Sequence, residues 1–341
     1  YHIVKYMTIK IFFMESESIR LKNNMNYQLT KCQDSNTWNK FVLATPQNNL
    51  FCKTNFLDAY QREYDLLFVA KGELILAGVV IIKGDDGIPT IDSFMYQGVL
   101  FSKYIESLPS HKKNKKQIDI IEFLLIKLES IYGSISLSLH HSLNDLRGFQ
   151  WHNYHNSAGL RPALNLNYTG LLDLKKAENF DQILMDVRTV RRQEYNKCVR
   201  NEFTIEESND ISILDFLHEK TFERQGVKRS KSEIFLATKL ANESLVKGFG
   251  RLLICRNVKG APTSASLFLF DDKTAYYLIG ANDPDYRKDG TGSYIMFEQI
   301  RYFLEQGLSY VDFMGINSPF RGDFKTSFGA IPKPFFEFEL I

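Results

Sequence analysis

ANDPDYRKDGTGSYIMF, Ala281 to Phe297, is the stretch on which the reading of this chain turns. To its left, TAYYLIG (Thr274–Gly280) has the composition of a short buried strand. To its right, Ile295, Phe297, Ile300, Phe303 and Leu304 recur at the spacing of a helix with one buried face, running from Ser293 to about Gln306. Between them Arg287-x-x-Gly290-x-Gly292 stands where a strand hands over to a helix. Glycines at such a place let the backbone turn tightly and aim several N–H groups at one anion. The helix start adds its own unpaired donors and the positive end of its dipole. Arg287 supplies a mobile countercharge, and Lys288, Thr291 and Ser293 belong to the same loop. The arrangement suits a pyrophosphate, which is what coenzyme A presents. An ordinary glycine turn is the alternative, and three matched positions do not by themselves separate the two.

Working outward, GRLLICR (Gly250–Arg256) and SASLFLF (Ser264–Phe270) precede this unit as two more strands, with turns at Lys259-Gly260 and Asp271-Asp272. Gly307 caps the helix, SYVDFM follows as a strand, and PFFEFEL closes the chain. The stretch from Gly315 to Ala330 reads as a long loop. The same order occurs earlier. Leu66–Ala70 and Leu74–Ile82 read as strands, Pro89–Phe94 as a third, and Ile118, Ile121, Leu125 and Leu128 share one helical face before Gly133. SISLSLH then alternates as a strand. Helical stretches are expected at roughly 55–62, 178–200, 212–224 and 232–247, and HKKNKK (His111–Lys116) as a solvated loop. A repeated order without sequence identity predicts two similar domains of mixed α/β type.

The totals agree with a soluble globular protein of about two domains: 341 residues, 44% apolar, 24% charged. A formal charge of +2 provides no global field toward nucleic acid or membrane. Cys32, Cys52, Cys198 and Cys255 are scattered without a CxxC pair, which suits a reducing cytoplasm better than a disulfide framework or a zinc cluster. His140, His141, His152 and His155 fit no standard ligand spacing, so no metal is expected. The chain opens on Tyr1, and Met25 begins a more ordinary start. Residues 1–24 are therefore expected to be an extension outside the fold. Ile9–Met14 is too short to span a bilayer.

On W38NKFV with N48NLF, R188TVRRQEY, the Arg287–Gly292 loop, and VDFMG followed by FKTSFGA, the chain resembles the GNAT acyltransferase superfamily. More narrowly it is similar to the Fem-type branch with two GNAT domains, from about Trp38 to Ile341. That branch includes peptidoglycan bridge-forming aminoacyltransferases and acetyltransferases of envelope polysaccharide clusters. The resemblance implies an acceptor-side domain over 25–170, a donor-binding domain over 171–341, and transfer of an acyl group to a primary amine. The donor would be acetyl-CoA or another acyl-CoA. The acceptor would be an amino sugar or its nucleotide-linked form in envelope polysaccharide synthesis, in the cytoplasm or on the inner face of the membrane. Phe324-Lys325 matches the family's channel-lining Phe-Lys pair, which makes Lys325 a candidate to stabilise the developing oxyanion. Asp312, on the strand before it, is a candidate to accept or orient the amine proton, or is a buried aspartate satisfied by backbone. Tyr277 is a candidate to hold the acceptor or protonate the thiolate, or is a core tyrosine.

Arg188 and Arg192 share a helix face and suit a phosphate-bearing acceptor or a tRNA backbone; a solvated face explains them equally. Trp151 offers a ring on which a sugar could stack. Two rival readings stand beside the CoA one. One is an aminoacyl-tRNA-dependent enzyme acting on a peptidoglycan precursor, for which the long coiled-coil arm of its best-known members is lacking. The other is a silent binding protein that kept the fold.

Overall fold

The computed structural model describes residues 26–91, 96–156, 158–226 and 231–341. The extension expected over 1–24 and the second half of the strand expected near Pro89–Phe94 lie outside them. The elements run β1 (Gln28–Lys31), α1 (Ser35–Ala44), α2 (Thr54–Tyr60), β2 (Tyr64–Lys71), β3 (Leu74–Ile82), β4 (Gly98–Phe101), α3 (Lys103–Glu106), α4 (Ser110–Tyr132), β5 (Ile135–Ser138) and α5 (Arg147–Gln150). They continue with β6 (Pro162–Asp173), α6 (Phe180–Asp186), α7 (Thr189–Arg200), β7 (Thr204–Glu207), α8 (Ile211–Gln225), α9 (Lys231–Val246), β8 (Gly250–Arg256), β9 (Pro262–Phe270) and β10 (Thr274–Asn282). The last are α10 (Thr291–Glu305), β11 (Tyr310–Gly315), α11 (Pro319–Thr326) and β12 (Ile331–Leu340).

Each half is a sheet with helices on both faces, because its central strands are apolar on both sides. In β2 and β3, Leu67, Val69, Val79 and Ile81 pack on α4 through Ile120, Ile121, Leu124 and Leu128. Leu66, Phe68, Val80 and Ile82 point the other way, onto Trp38 of α1 and Phe56 of α2. In the second half Phe268, Val311 and Phe313 pack against Phe297, Ile300 and Phe303 of α10. Leu252, Ile254 and Leu267 face Leu214 and Leu217 of α8. The expectation of two GNAT-like α/β units therefore holds at the level of architecture.

The division between the sheets does not follow the division between the halves, since β5 of the first half lies in the larger sheet. The first four strands form one sheet, and the order β5-β12-β6-β11-β10-β9-β8-β7 forms the other. β12, from the end of the chain, pairs with β5 through Glu337–Ser138 to Leu340–Ile135 and with β6 along its whole length. Phe338 and Leu340 thereby complete the core of the first half. Phe51 meets Tyr276 across the halves with ring centroids 4.7 Å apart, and Lys53 Nζ lies 2.6 Å from Asp272 Oδ1.

Three sequence expectations need correction. The loop expected over 315–330 contains α11. HKKNKK is not a loop but the first turns of α4. The helical stretch expected over 178–200 breaks at Val187–Arg188, giving α6 and α7.

Candidate functional site: a gap between splayed strands

β10 and β11 run parallel and pair only over Thr274–Tyr276 with Tyr310–Asp312. Beyond that, β10 stays with β9 as far as Asn282, and β11 stays with β6. Both pairings slip at the parting point, between Tyr277 and Ile279 on one side and between Asp312 and Gly315 on the other. Met314 there sits at φ 58°, in the left-handed region. A wedge-shaped gap opens, with backbone polar groups on two diverging edges.

At the wide end of the gap, Gly290 is the N-cap of α10 at φ 83°. A Cβ there would lie 2.5 Å from Glu194 Cβ, so glycine is required both by conformation and by close approach. Ser293 and Tyr294 N–H both bond the Gly290 carbonyl, while the amides of Thr291 and Gly292 fall in the first turn, where no helical carbonyl reaches them. Thr291 is 1% exposed and its Oγ1 has no hydrogen-bond partner. Arg287 and Lys288 are exposed. Ser293 is buried, its hydroxyl bonded to Glu194 Oε2 at 2.5 Å and taking Arg191 Nη1 at 2.8 Å. A glycine cradle, free first-turn amides, an unpartnered buried hydroxyl and two exposed cations fit a pyrophosphate.

At the narrow end stands Lys325, buried on α11. Its Nζ donates to the Gly315 carbonyl at 3.0 Å and lies 5.3 Å from the Tyr277 ring centre. Burial, then the Arg321 charge, push its pKa down to about 8, against the opposing pull of Asp312. The Tyr277 ring stacks on Phe268 at 5.1 Å, and its hydroxyl occupies the space a Gly280 side chain would take. Burial raises the Tyr277 phenol to about 12.

Asp312 is fully buried where the halves meet. Its carboxylate accepts from Thr169 Oγ1, from Met314 N–H at 2.7 Å and from Tyr96 Oη at 3.0 Å. This is a carboxylate held in place by three donors, two of them, Tyr96 and Thr169, from the other half. Beside Tyr96 lie the rings of His140 and His141, 5.0 and 5.7 Å away. Burial drives the His140 pKa well below its ordinary value, so this ring is neutral. His141 is lowered by burial as well, with Asp312 pulling the other way.

The structure thus gathers Lys325, Tyr277 and Asp312 around the apex, and Lys288, Gly290, Thr291, Gly292 and Ser293 with Arg287 at the mouth. Phe324 lies between them on α11, its ring 5.0 Å from the Arg191 guanidinium. Arg188 is turned to Asp323 in a bidentate pair, both bonds 2.8 Å, on the exposed surface. Such an exposed pair is screened by solvent and contributes little, so Arg188→Ala should shift the melting temperature by no more than about a few degrees. Arg192 Nη1 reaches the Leu184 carbonyl at 3.4 Å. Trp151 follows α5, which packs on α4, and carries Arg147 over its ring at 5.5 Å. Tyr96, Thr169 and Glu194 were not among the sequence-derived candidates. Arg191 belongs to the basic run of Arg188 and Arg192 that the sequence offered to a phosphate, and His141 was weighed there only as a metal ligand.

A family model described as an acetyltransferase (GNAT) domain matches residues 186–325. No curated protein matches the chain by sequence. Among solved structures, FemX is similar with a TM-score of 0.65 at 12% identity, over 91% of this chain and 96% of that one. A tandem GNAT protein from the clavulanic acid biosynthesis pathway is similar at 0.52 and 10% identity, over 92% and 98%. L-PGS from Bacillus licheniformis is similar at 0.51 and 10%, over 90% and 91%. These identities speak for the fold, and the GNAT match falls within the second half. The chain is an acyltransferase of the GNAT fold, built like the Fem-type branch from two GNAT-like halves.

Proposed function

We propose that this protein transfers an acyl group, acetyl in the simplest case, directly from acyl-CoA to a primary amine of an amino sugar or nucleotide-linked sugar used in the cell envelope. The observation that carries the reading is the cradle at the α10 start, where Gly290, Gly292 and the unpartnered Thr291 hydroxyl follow the exposed cations Arg287 and Lys288. The CoA phosphates would sit there and the thioester would reach the apex. Exposed backbone along the gap and the Lys325 charge would stabilise negative charge on the carbonyl oxygen. The amine would approach from the side of Asp312, Tyr96 and His141, where the carboxylate orients it. Proximity and orientation supply most of the acceleration, with no acyl-enzyme required. The boundary of the acceptor half at residue 170 and the donor half from 171 belong to this reading. So does the cytoplasmic setting; no described helix is long and apolar enough to cross a membrane.

The likeness to FemX favours a second reading, in which aminoacyl-tRNA is the donor and a peptidoglycan precursor the acceptor. Calorimetry separates them. Gly292→Asp introduces a carboxylate into the first turn of α10, where it favours the helix but repels phosphate. Its Cβ would stand 2.6 Å from Asn282 Oδ1, a contact that the Asn282 side chain must turn aside to relieve. The variant, checked for folding by its melting curve, should bind acetyl-CoA at least about tenfold more weakly. Absence of acetyl-CoA binding by the natural chain, with salt-sensitive binding of tRNA, would reverse the order of the two readings.

A further inference from the structure

α7 reaches into the channel between α10 and α11. At its start the Arg188 N–H bonds the Ser327 carbonyl at 3.0 Å, and the Arg188 side chain clasps Asp323 of α11. One turn on, Arg191 lies against Phe324 of α11 and reaches Ser293 of α10. Glu194 completes a triangle. Its Oε2 accepts from Ser293 Oγ at 2.5 Å and from Arg191 Nη1 at 2.7 Å, while its Cβ and Cγ cover Gly290. A carboxylate therefore lies against the α10 start, bonded to the Ser293 hydroxyl and the Arg191 guanidinium. Beside it, two buried donors stay unsatisfied, Thr291 Oγ1 and Arg191 Nε. Lys197, one turn beyond Glu194 on α7, is engaged with Asp289 at 2.8 Å.

We propose that Glu194 stands in for the donor's phosphates, and that Arg191, released when they displace it, becomes a phosphate ligand of the bound donor. The inference rests on the acyl-CoA reading above and adds a residue outside the glycine loop. A phosphate bears more charge than one carboxylate and offers more acceptor oxygens, so it satisfies the Thr291 hydroxyl and the Arg191 Nε–H as well as the bonds it replaces. The guanidinium fork, already packed on Phe324, is suited to bind it through two N–H groups.

Glu194 and Arg191 then have opposite effects on affinity, which a merely structural ion pair would not. Calorimetry with acetyl-CoA, and with inorganic pyrophosphate as the phosphate-only probe, should show Glu194→Gln binding both about tenfold more tightly. Glutamine keeps an acceptor for Ser293, so the fold is retained. Arg191→Gln should bind both about tenfold more weakly, and Arg191→Lys should recover part of the loss. Melting curves check that each variant is folded. Acetyl-CoA binding that is equal in all four proteins, or weaker in Glu194→Gln, would overturn the inference and leave the CoA reading standing. Absence of binding in both the natural chain and Glu194→Gln would overturn both. Binding only after Glu194→Gln would establish the stand-in directly.

Discussion

Lys325→Met is expected to lower kcat for acyl transfer by about 10²–10³-fold with little change in acetyl-CoA affinity, the loss typical of removing one oxyanion donor. Methionine fills a similar volume beside Tyr277, so packing is kept while the charge is lost. The ammonium sits at the gap's apex, next to Gly315 and far from the phosphate cradle on α10, which is why kcat rather than binding should suffer. The pH dependence supplies a second readout. The folded-state pKa is lowered to about 8, so the charge disappears as pH rises through that value. The natural enzyme should lose activity above about pH 8, and the variant should lack that descending limb. Stability moves the opposite way. A lysine whose pKa is depressed by folding costs stability in full below its folded pKa, and the cost is relieved between about 8 and its unfolded value. Lys325→Met should therefore melt higher than the natural chain at neutral pH. Equal rates with any amine that the natural enzyme acetylates would remove Lys325 from the chemistry.

Phe338→Ala should destabilise the whole chain by about 3–5 kcal/mol, the cost of emptying a large buried site. Phe338 is fully buried, comes from the last strand, and packs on Phe149 with centroids 5.0 Å apart, inside the core of the first half. Because β12 is shared, denaturant unfolding followed by fluorescence and by circular dichroism should lose both halves in one coincident transition. Two separated transitions, only the first shifted by the substitution, would show that the halves are energetically independent.

The parts of the fold that were legible in the sequence are those fixed by local pattern. β8, β9, β10, α10 and β11 alternate or repeat cleanly and are punctuated by glycine turns. α11 was hidden for a physical reason. It is eight residues long, and Gly322 in its middle reads as a loop signal. That glycine is there because a Cβ would stand 2.4 Å from the Ile316 carbonyl. The crossing of β12 into the first half was also illegible, since strand pairing at such sequence separation leaves no local mark. The site divides in the same way. Gly290, Gly292 and Lys325 carry motif signals, whereas Tyr96 and Thr169 reach Asp312 only through the packing of one half on the other. Glu194 reads in sequence as the counter-ion of its own helix, and only its placement against Gly290 gives it another meaning.

In the proposed reaction the donor lies in the gap between β10 and β11 with its phosphates at the α10 start. Hydrogen–deuterium exchange of the natural chain with and without acetyl-CoA reads this placement out along the backbone. Slowed exchange is expected over residues 277–293 and 313–326, with the β1–β4 sheet unchanged. Protection confined to the first half, or none at saturating acetyl-CoA, would contradict it.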